Sequence, residues 1–110
     1  MGISIRAGCD IVKISRIKSL GKKPLLRIFH ESEIRNRSAE SLAGIFAAKE
    51  SCRKAFNELQ WHDITIGKTK EGKPIVSMNK QKIRQNIISS CVSISHDGEY
   101  AIANAVFLVE

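Results

Sequence analysis

One stretch decides the fold: SAESLAGIFAAKESCRKAF, residues 38–56. It contains no proline, is rich in alanine and straight-chain residues, and repeats its apolar positions with a helical period. Ser38 is placed to cap its N-terminus, and Glu40 lies in the first turn, where the helix dipole favours a carboxylate. We therefore predict a long helix whose apolar face forms the floor of the core. That face comprises Leu42, Ile45, Phe46, Ala48, Cys52, Ala55 and Phe56.

Three charged residues accompany this apolar face. Lys49 falls near its centre, and Glu50 and Lys54 lie along its border. A charge that points at a core is costly unless a partner neutralises it. The simplest interpretation is that Lys49 extends to the surface while Glu50 and Lys54 form an ordinary i,i+4 ion pair. A functional interpretation depends on the rest of the chain.

The remaining segments predict an antiparallel sheet. Residues 3–11 alternate in polarity as a strand does, and the last strand, 100–109, has apolar residues at both parities, so it should be central and covered on both faces. Other expected elements are short helices at 12–20, from Pro24 and at 80–86, a hairpin joining 64–66 to 74–78, and a strand at 92–95. The predicted class is α+β, an antiparallel sheet packed against one long helix.

Composition narrows the type of protein. A chain of 110 residues with 43% hydrophobic and 26% charged residues fits one folded domain, residues 1–110. No apolar run is long enough to span a membrane, and no signal-peptide pattern is present, so we expect a cytoplasmic protein without a membrane partner. Cys9, Cys52 and Cys91 lack CxxC spacing and are interpreted as reduced core thiols.

The net charge of +7 predicts a polyanionic partner: a nucleic acid, a phosphorylated small molecule or an acidic protein. A small RNA-binding domain is disfavoured, because aromatic residues are only 5% of the chain and no stacking platform is visible. We therefore expect no nucleic-acid partner.

Two carboxylates offer a place for a metal ion. Asp10 and Glu50 are both expected near the junction of sheet and helix, although an Asp at a strand end is often only a turn or cap residue. Carboxylates without a His- or Cys-rich cluster suit a hard cation such as Mg²⁺, which keeps several waters and binds substrate phosphates. A hydrolase built on Ser93, Ser95 and His96 is disfavoured, because no nucleophile elbow is present and adjacent strand residues point to opposite faces.

Five motifs, in order along the chain, resemble the holo-acyl-carrier-protein synthases, the small, single-domain 4′-phosphopantetheinyl transferases. The motifs are Gly8-x-Asp10-Ile11-Val12, Ile14-Ser15-Arg16-Ile17, Leu42-Ala43-Gly44-x-Phe46-Ala47-Ala48-Lys49-Glu50, Gly72-Lys73-Pro74 and Val92-Ser93-Ile94-Ser95-His96. The resemblance implies the 4′-phosphopantetheinyl transferase fold. It also implies transfer of phosphopantetheine from coenzyme A to a serine of an acidic apo acyl carrier protein, with release of adenosine 3′,5′-bisphosphate.

The resemblance further implies roles for individual residues. Asp10 and Glu50 correspond to the Mg²⁺ ligands, and Glu50 and Lys54 to catalytic residues. Lys54, Lys49 and His96 correspond to residues that bind coenzyme A, with His96 near the 3′-phosphate. The serine would be activated through a metal-bound water or a carboxylate. Small members of the family form homotrimers with active sites at subunit boundaries, and we expect the same here.

A basic cluster early in the chain is the expected contact with the acidic carrier protein, although charge clusters are usually only solvated surface. It consists of Lys13, Arg16, Lys22, Lys23 and Arg27.

Three departures from the family pattern should weaken polyanion binding. Ile45 replaces a usual Arg, Asn57-Glu58-Leu59 replaces a Gly-rich turn, and Asp97 replaces a hydroxyl residue. Arg53 and Lys68 are candidate replacements for the lost cation. The departures leave open an alternative: a catalytically impaired relative that acts as a carrier-protein-binding module.

Overall fold

The computed structural model describes residues 2–110, which form a layer of helices on an antiparallel sheet. Its strands and α-helices are β1 (Ser4–Lys13), α1 (Ile14–Lys18), α2 (Lys22–Ile28), α3 (Glu31–Ile34), α4 (Ala39–Ala55), β2 (Ile64–Lys68), β3 (Pro74–Met78), β4 (Ile87–Asp97) and β5 (Tyr100–Val109). Short 3-10 turns occupy Trp61–Asp63 and Lys80–Lys82. No helix within these described residues is long and apolar enough to cross a membrane.

The main sheet has the strand order β1-β5-β4, and both pairings are antiparallel. β5 is central, as predicted, and the turn at Asp97-Gly98 places Gly98 at a positive φ of 60°. β2 and β3 form the predicted hairpin as a second, two-stranded sheet. The α+β prediction is confirmed: an antiparallel sheet packs against one long helix.

Helix α4 begins where the sequence places it. The Ser38 side chain accepts a hydrogen bond from the Ser41 backbone N–H at 3.1 Å, which satisfies one of the free donors of the first turn. The helix is buried on nearly all sides, because α1, α3 and the 3-10 turn at Trp61–Asp63 also contact it. The sequence predicted that α4 buries one apolar face, whereas the structure buries most of its circumference.

A very close contact joins α4 to β1. A Cβ atom at Gly8 would lie 1.9 Å from the Ser51 carbonyl oxygen, so only glycine fits at this point of the strand. The Ser51 hydroxyl lies 2.7 Å from the Ala47 carbonyl oxygen and 3.1 Å from that of Ala103 in β5. The second half of α4 is thus held directly against both strands.

The sheet is covered on one face only. The isoleucines of β1, Ile5 and Ile11, point away from α4, whereas the alternate residues Arg6, Asp10 and the buried Val12 face the helix. In β5, Ala101, Ala103, Ala105, Phe107 and Val109 are buried, while Ile102 and Val106 are about 40% exposed (42% and 40%). The expectation that β5 is covered on both faces was wrong for a single chain, because no described element lies on the second face.

Smaller differences concern helix lengths and thiols. β1 continues to Lys13, so the first helix is shorter than predicted, and the expected helix at 80–86 is only the 3-10 turn at Lys80–Lys82. Of the three cysteines, Cys52 is a core thiol, whose burial raises its pKa to about 12. Cys9 and Cys91 are exposed, because they lie on the uncovered face of the sheet.

Lys49 is fully buried in an ion pair with Glu33 at 2.7 Å. Its ammonium group also donates to the carbonyl oxygens of Ile28, at 2.8 Å, and Trp61, at 3.3 Å. Glu33 in turn accepts from the backbone N–H groups of His30 and Ile66, both at 2.8 Å. Burial lowers the pKa of Lys49, and the contact with Glu33 opposes that shift. The pair joins α4 to α2, α3 and β2, so Lys49 does not extend to the surface.

We expect Lys49→Met to destabilise the fold by about 3–5 kcal/mol, because it leaves the buried Glu33 carboxylate without its cation. Urea unfolding followed by circular dichroism measures the change in the free energy of unfolding. In the double variant Lys49→Met/Glu33→Gln the charge is gone, and the amide oxygen can still accept from one of the two N–H groups, of His30 or Ile66, so part of the loss should be recovered. Equal losses in the single and double variants would show that the ion pair is not the cause.

Candidate functional site

The junction of β1 and α4 brings a carboxylate and an ammonium group together at the surface. The Lys54 ammonium donates to the Cys9 carbonyl oxygen at 2.8 Å and to Asp10 Oδ1 at 3.2 Å. The Asp10 side chain is 17% exposed and that of Lys54 is 55% exposed, so both remain accessible. The close approach at Gly8 puts this part of the strand within reach of the helix.

Glu50 lies one helical turn before Lys54, but the two do not form the ion pair that the sequence suggested. Lys54 pairs with Asp10 instead, and Glu50 pairs with Arg53, whose Nη1 donates to Glu50 Oε1 at 2.9 Å. The indole N–H of Trp61 also donates to Glu50 Oε1. Sequence reasoning did not identify Trp61, because it lies eleven residues further along in an irregular segment with no motif.

The donor chemistry of this junction fits a hard divalent cation. Asp10 and Glu50 supply carboxylate oxygens, and Asp10 Oδ2 and Glu50 Oε2 take part in no hydrogen bond among the described residues. Residues 2–110 contain no group of three or more metal-binding side chains. Two carboxylates are nevertheless sufficient for an ion such as Mg²⁺, which completes its coordination with water and substrate phosphates.

A second feature is a cavity of about 270 Å³ beside the N-terminus of α4. His96 lines it. Its ring fits against α4 because residue 44 is glycine: a Cβ atom there would lie only 3.0 Å from His96 Nε2. The same nitrogen lies 3.0 Å from the Glu40 carbonyl oxygen. The lining is completed by Arg37, Ser38, Glu40, Ser41, Ile45, Ile66, Gly67, Lys68, Gly72, Pro74 and Ile94.

Basic side chains at this cavity give it the means to hold an anion. Nη1 of Arg37 is buried and has no hydrogen-bond partner among the described residues, so it is a free donor. Lys68 is exposed at the rim. Sequence reasoning named Lys68 as a candidate replacement cation but missed Arg37, which precedes the helix cap without any charge pattern to single it out.

The departures from the family pattern occupy different environments. Ile45 is 2% exposed and belongs to the core while also lining the cavity. In the segment after α4, Asn57 and Glu58 are exposed, whereas Leu59 is fully buried. Asp97, beside His96, is exposed at the end of β4.

The expected pocket role of Lys49 does not agree with this structure. Its side chain has no exposed surface, and Glu33 and two carbonyl oxygens surround its ammonium group. A ligand could reach it only if the core opened. The lysine of this segment that is accessible is Lys54.

The basic residues expected to contact a carrier protein are all exposed at the end of β1 and on α1 and α2. They are Lys13, Arg16, Lys22, Lys23 and Arg27. Beside them lies an apolar groove of about 370 Å³, with Leu25, Leu26 and Ile34 between the charged residues Lys22, Glu31 and Arg35.

Comparisons with known proteins agree with this architecture. A model of the 4′-phosphopantetheinyl transferase superfamily matches residues 6–105. The chain is 39% identical to the holo-[acyl-carrier-protein] synthase of Sulfurimonas denitrificans, covering 87% of this chain and 88% of that protein. It is 41% identical to that of Nautilia profundicola, covering 92% and 97% respectively.

Solved structures are similar over almost the whole chain. The crystal structure of Helicobacter pylori holo-[acyl-carrier-protein] synthase in complex with coenzyme A superposes with a TM-score of 0.82 at 39% identity, covering 92% of this chain and 98% of that one. The Bacillus anthracis synthase in complex with coenzyme A (3′,5′-ADP) gives a TM-score of 0.82 at 29% identity, with coverages of 99% and 100%. The chain therefore belongs to the 4′-phosphopantetheinyl transferase superfamily.

Proposed function

We propose that this protein is a holo-[acyl-carrier-protein] synthase, which transfers 4′-phosphopantetheine from coenzyme A to a serine of apo acyl carrier protein. The observation that carries the proposal is the junction of β1 and α4, where Asp10 and Lys54 are in contact and Glu50 lies one turn away. Because Asp10 and Lys54 meet at an accessible surface and Glu50 is on the same helix one turn before Lys54, a catalyst is favoured over an impaired carrier-binding module.

The reaction is a phosphoryl transfer. The serine oxygen of the carrier protein forms a bond to the phosphorus that carries the pantetheine arm. The bond between that phosphorus and the oxygen bridging the two phosphorus atoms of coenzyme A breaks, and adenosine 3′,5′-bisphosphate leaves with this oxygen. In this chemistry the protein mainly positions the reactants and neutralises charge. The serine proton passes to a carboxylate or to a water molecule.

Asp10 and Glu50 would hold Mg²⁺, which supplies positive charge to the diphosphate when it is bound. Lys54 can turn from Asp10 to the phosphates, because its side chain is more than half exposed. His96, Arg37 and Lys68 would bind the phosphorylated nucleoside at the cavity beside α4, where they are spaced around one opening.

Glu50→Gln should fold normally yet lose most of the transfer activity, because a neutral amide is a poor Mg²⁺ ligand. The assay incubates the protein with coenzyme A, Mg²⁺ and an apo carrier protein, and mass spectrometry measures the mass gained by the carrier. Exposed Glu58→Gln removes the same charge a short distance beyond the helix and should remain active. Transfer by Glu50→Gln at the unmodified rate with Mg²⁺ limiting would show that Glu50 is not a metal ligand.

The carrier protein would bind at the exposed basic cluster, with the groove beside α2 accepting apolar side chains. Arg16→Glu should weaken carrier binding, and the affinity of the unmodified protein should fall as salt rises, because charged surfaces are screened. Arg84→Glu is the matched control, since it is exposed and adjoins β4 near the end of the sheet remote from Lys13. Equal carrier affinities for the two variants, measured by calorimetry, would contradict the assignment.

We also propose a homotrimer in which neighbouring subunits cover the bare face of the sheet. Ile5, Ile11, Ile102 and Val106 are 40–68% exposed on this one face of β1 and β5. Contiguous apolar surface of this kind is typical of subunit contacts. Sedimentation equilibrium should give three times the chain mass, and Ile102→Lys should shift it toward one chain. A monomeric unmodified protein would contradict the proposal.

We also propose that the protein acts in the cytoplasm. The three cysteines are unpaired, which suits the reducing conditions of the cytoplasm. The positive charge is accounted for by coenzyme A and an acidic carrier, so no nucleic-acid or membrane partner is proposed.

A further inference from the structure

Arg53 and Trp61 meet at one oxygen of Glu50. Arg53 Nη1 donates to Glu50 Oε1 at 2.9 Å, and the Trp61 indole N–H donates to the same atom. The Arg53 guanidinium also lies over the Trp61 ring, 4.7 Å from its centre, and its Nε donates to the Leu59 carbonyl oxygen at 3.2 Å. Two donors thus reach Glu50 from one side, and they also contact each other.

Trp61 is itself held by the core. Its carbonyl oxygen accepts a hydrogen bond from the buried Lys49 ammonium, and its ring packs against Phe46 with the ring centres 6.5 Å apart. Lys49 is fixed by Glu33. The backbone of Trp61 is therefore anchored to the most buried charged pair of the described structure, and its ring is supported by Phe46.

We propose that Arg53 and Trp61 are positioning residues that hold Glu50 by Oε1, so that Oε2 alone is presented to a divalent cation. The inference rests on the proposed role of Glu50 as a metal ligand. A carboxylate that binds through one oxygen leaves more coordination positions for water and phosphate than one that binds through two. Mutation of a partner that orients a ligand in this way typically costs about 10- to 100-fold in metal affinity or activity.

The two residues should differ in their effect on a cation. Trp61 contributes a neutral donor, so Trp61→Phe removes the orienting hydrogen bond and keeps an aromatic ring in place. Arg53 contributes a donor and also a positive charge that repels the metal ion. Arg53→Met therefore loses orientation and repulsion together, and its net effect should be the smaller one.

The experiment measures Mn²⁺ binding to the full chain, with free Mn²⁺ counted by electron paramagnetic resonance. We expect Trp61→Phe to weaken Mn²⁺ binding by about 10-fold, and Arg53→Met to weaken it less. Arg84→Met is the control for charge, because Arg84 is exposed outside this cluster, and its Mn²⁺ affinity should stay close to that of the unmodified protein. The melting temperature of each variant is measured alongside.

The possible outcomes separate this inference from the proposed function. A Trp61→Phe variant that binds Mn²⁺ as tightly as the unmodified protein overturns the positioning role, even if its melting temperature falls, and leaves the transfer function standing. If Glu50→Gln binds Mn²⁺ as tightly as the unmodified protein, both the positioning role and the metal role of Glu50 are wrong. Weaker binding by Trp61→Phe, with Glu50→Gln weaker still, supports both.

Discussion

The structure depends on how closely α4 approaches β1. At Gly8 the strand meets the Ser51 carbonyl group with no space for a side chain, and the Ser51 hydroxyl reaches the adjacent strand β5. Small residues on α4, such as Ala47, allow the same proximity elsewhere along the helix. This packing places Asp10 and Lys54 in contact, so the site is a direct product of the core rather than of a mobile loop.

Much of the fold could be predicted from local sequence, and the reasons are physical. The period of residues 38–56, the Ser38 cap and the glycine turns act within a few residues of where they occur, so they can be read without the rest of the chain. Which face of β1 is buried could not be predicted from alternation, because the alternation indicates a strand but does not say which side meets the helix. Here Arg6, Gly8, Asp10 and Val12 lie on the side that meets α4, and the isoleucines face outward.

The candidate site was predictable in part for the same reason. Asp10, Glu50, Lys54 and His96 lie in short motifs, whereas their hydrogen-bond partners come from distant segments. Lys49 and Glu33 lie sixteen residues apart in sequence, and nothing local shows that they pair. The contacts of Arg37 and Trp61 form only in the folded chain, where Arg37 lines the cavity and Trp61 donates to the Glu50 carboxylate.

The uncovered face of the sheet has a consequence for the chain before it finds any partner. β1 and β4 are the outer strands of the main sheet, and the isoleucines of β1 and β5 add an apolar surface beside them. A free copy therefore offers both open backbone edges and an apolar face, the combination that favours aggregation. If association buries this surface, the measured thermal stability will depend on protein concentration, so that dilution alone becomes a destabilising condition.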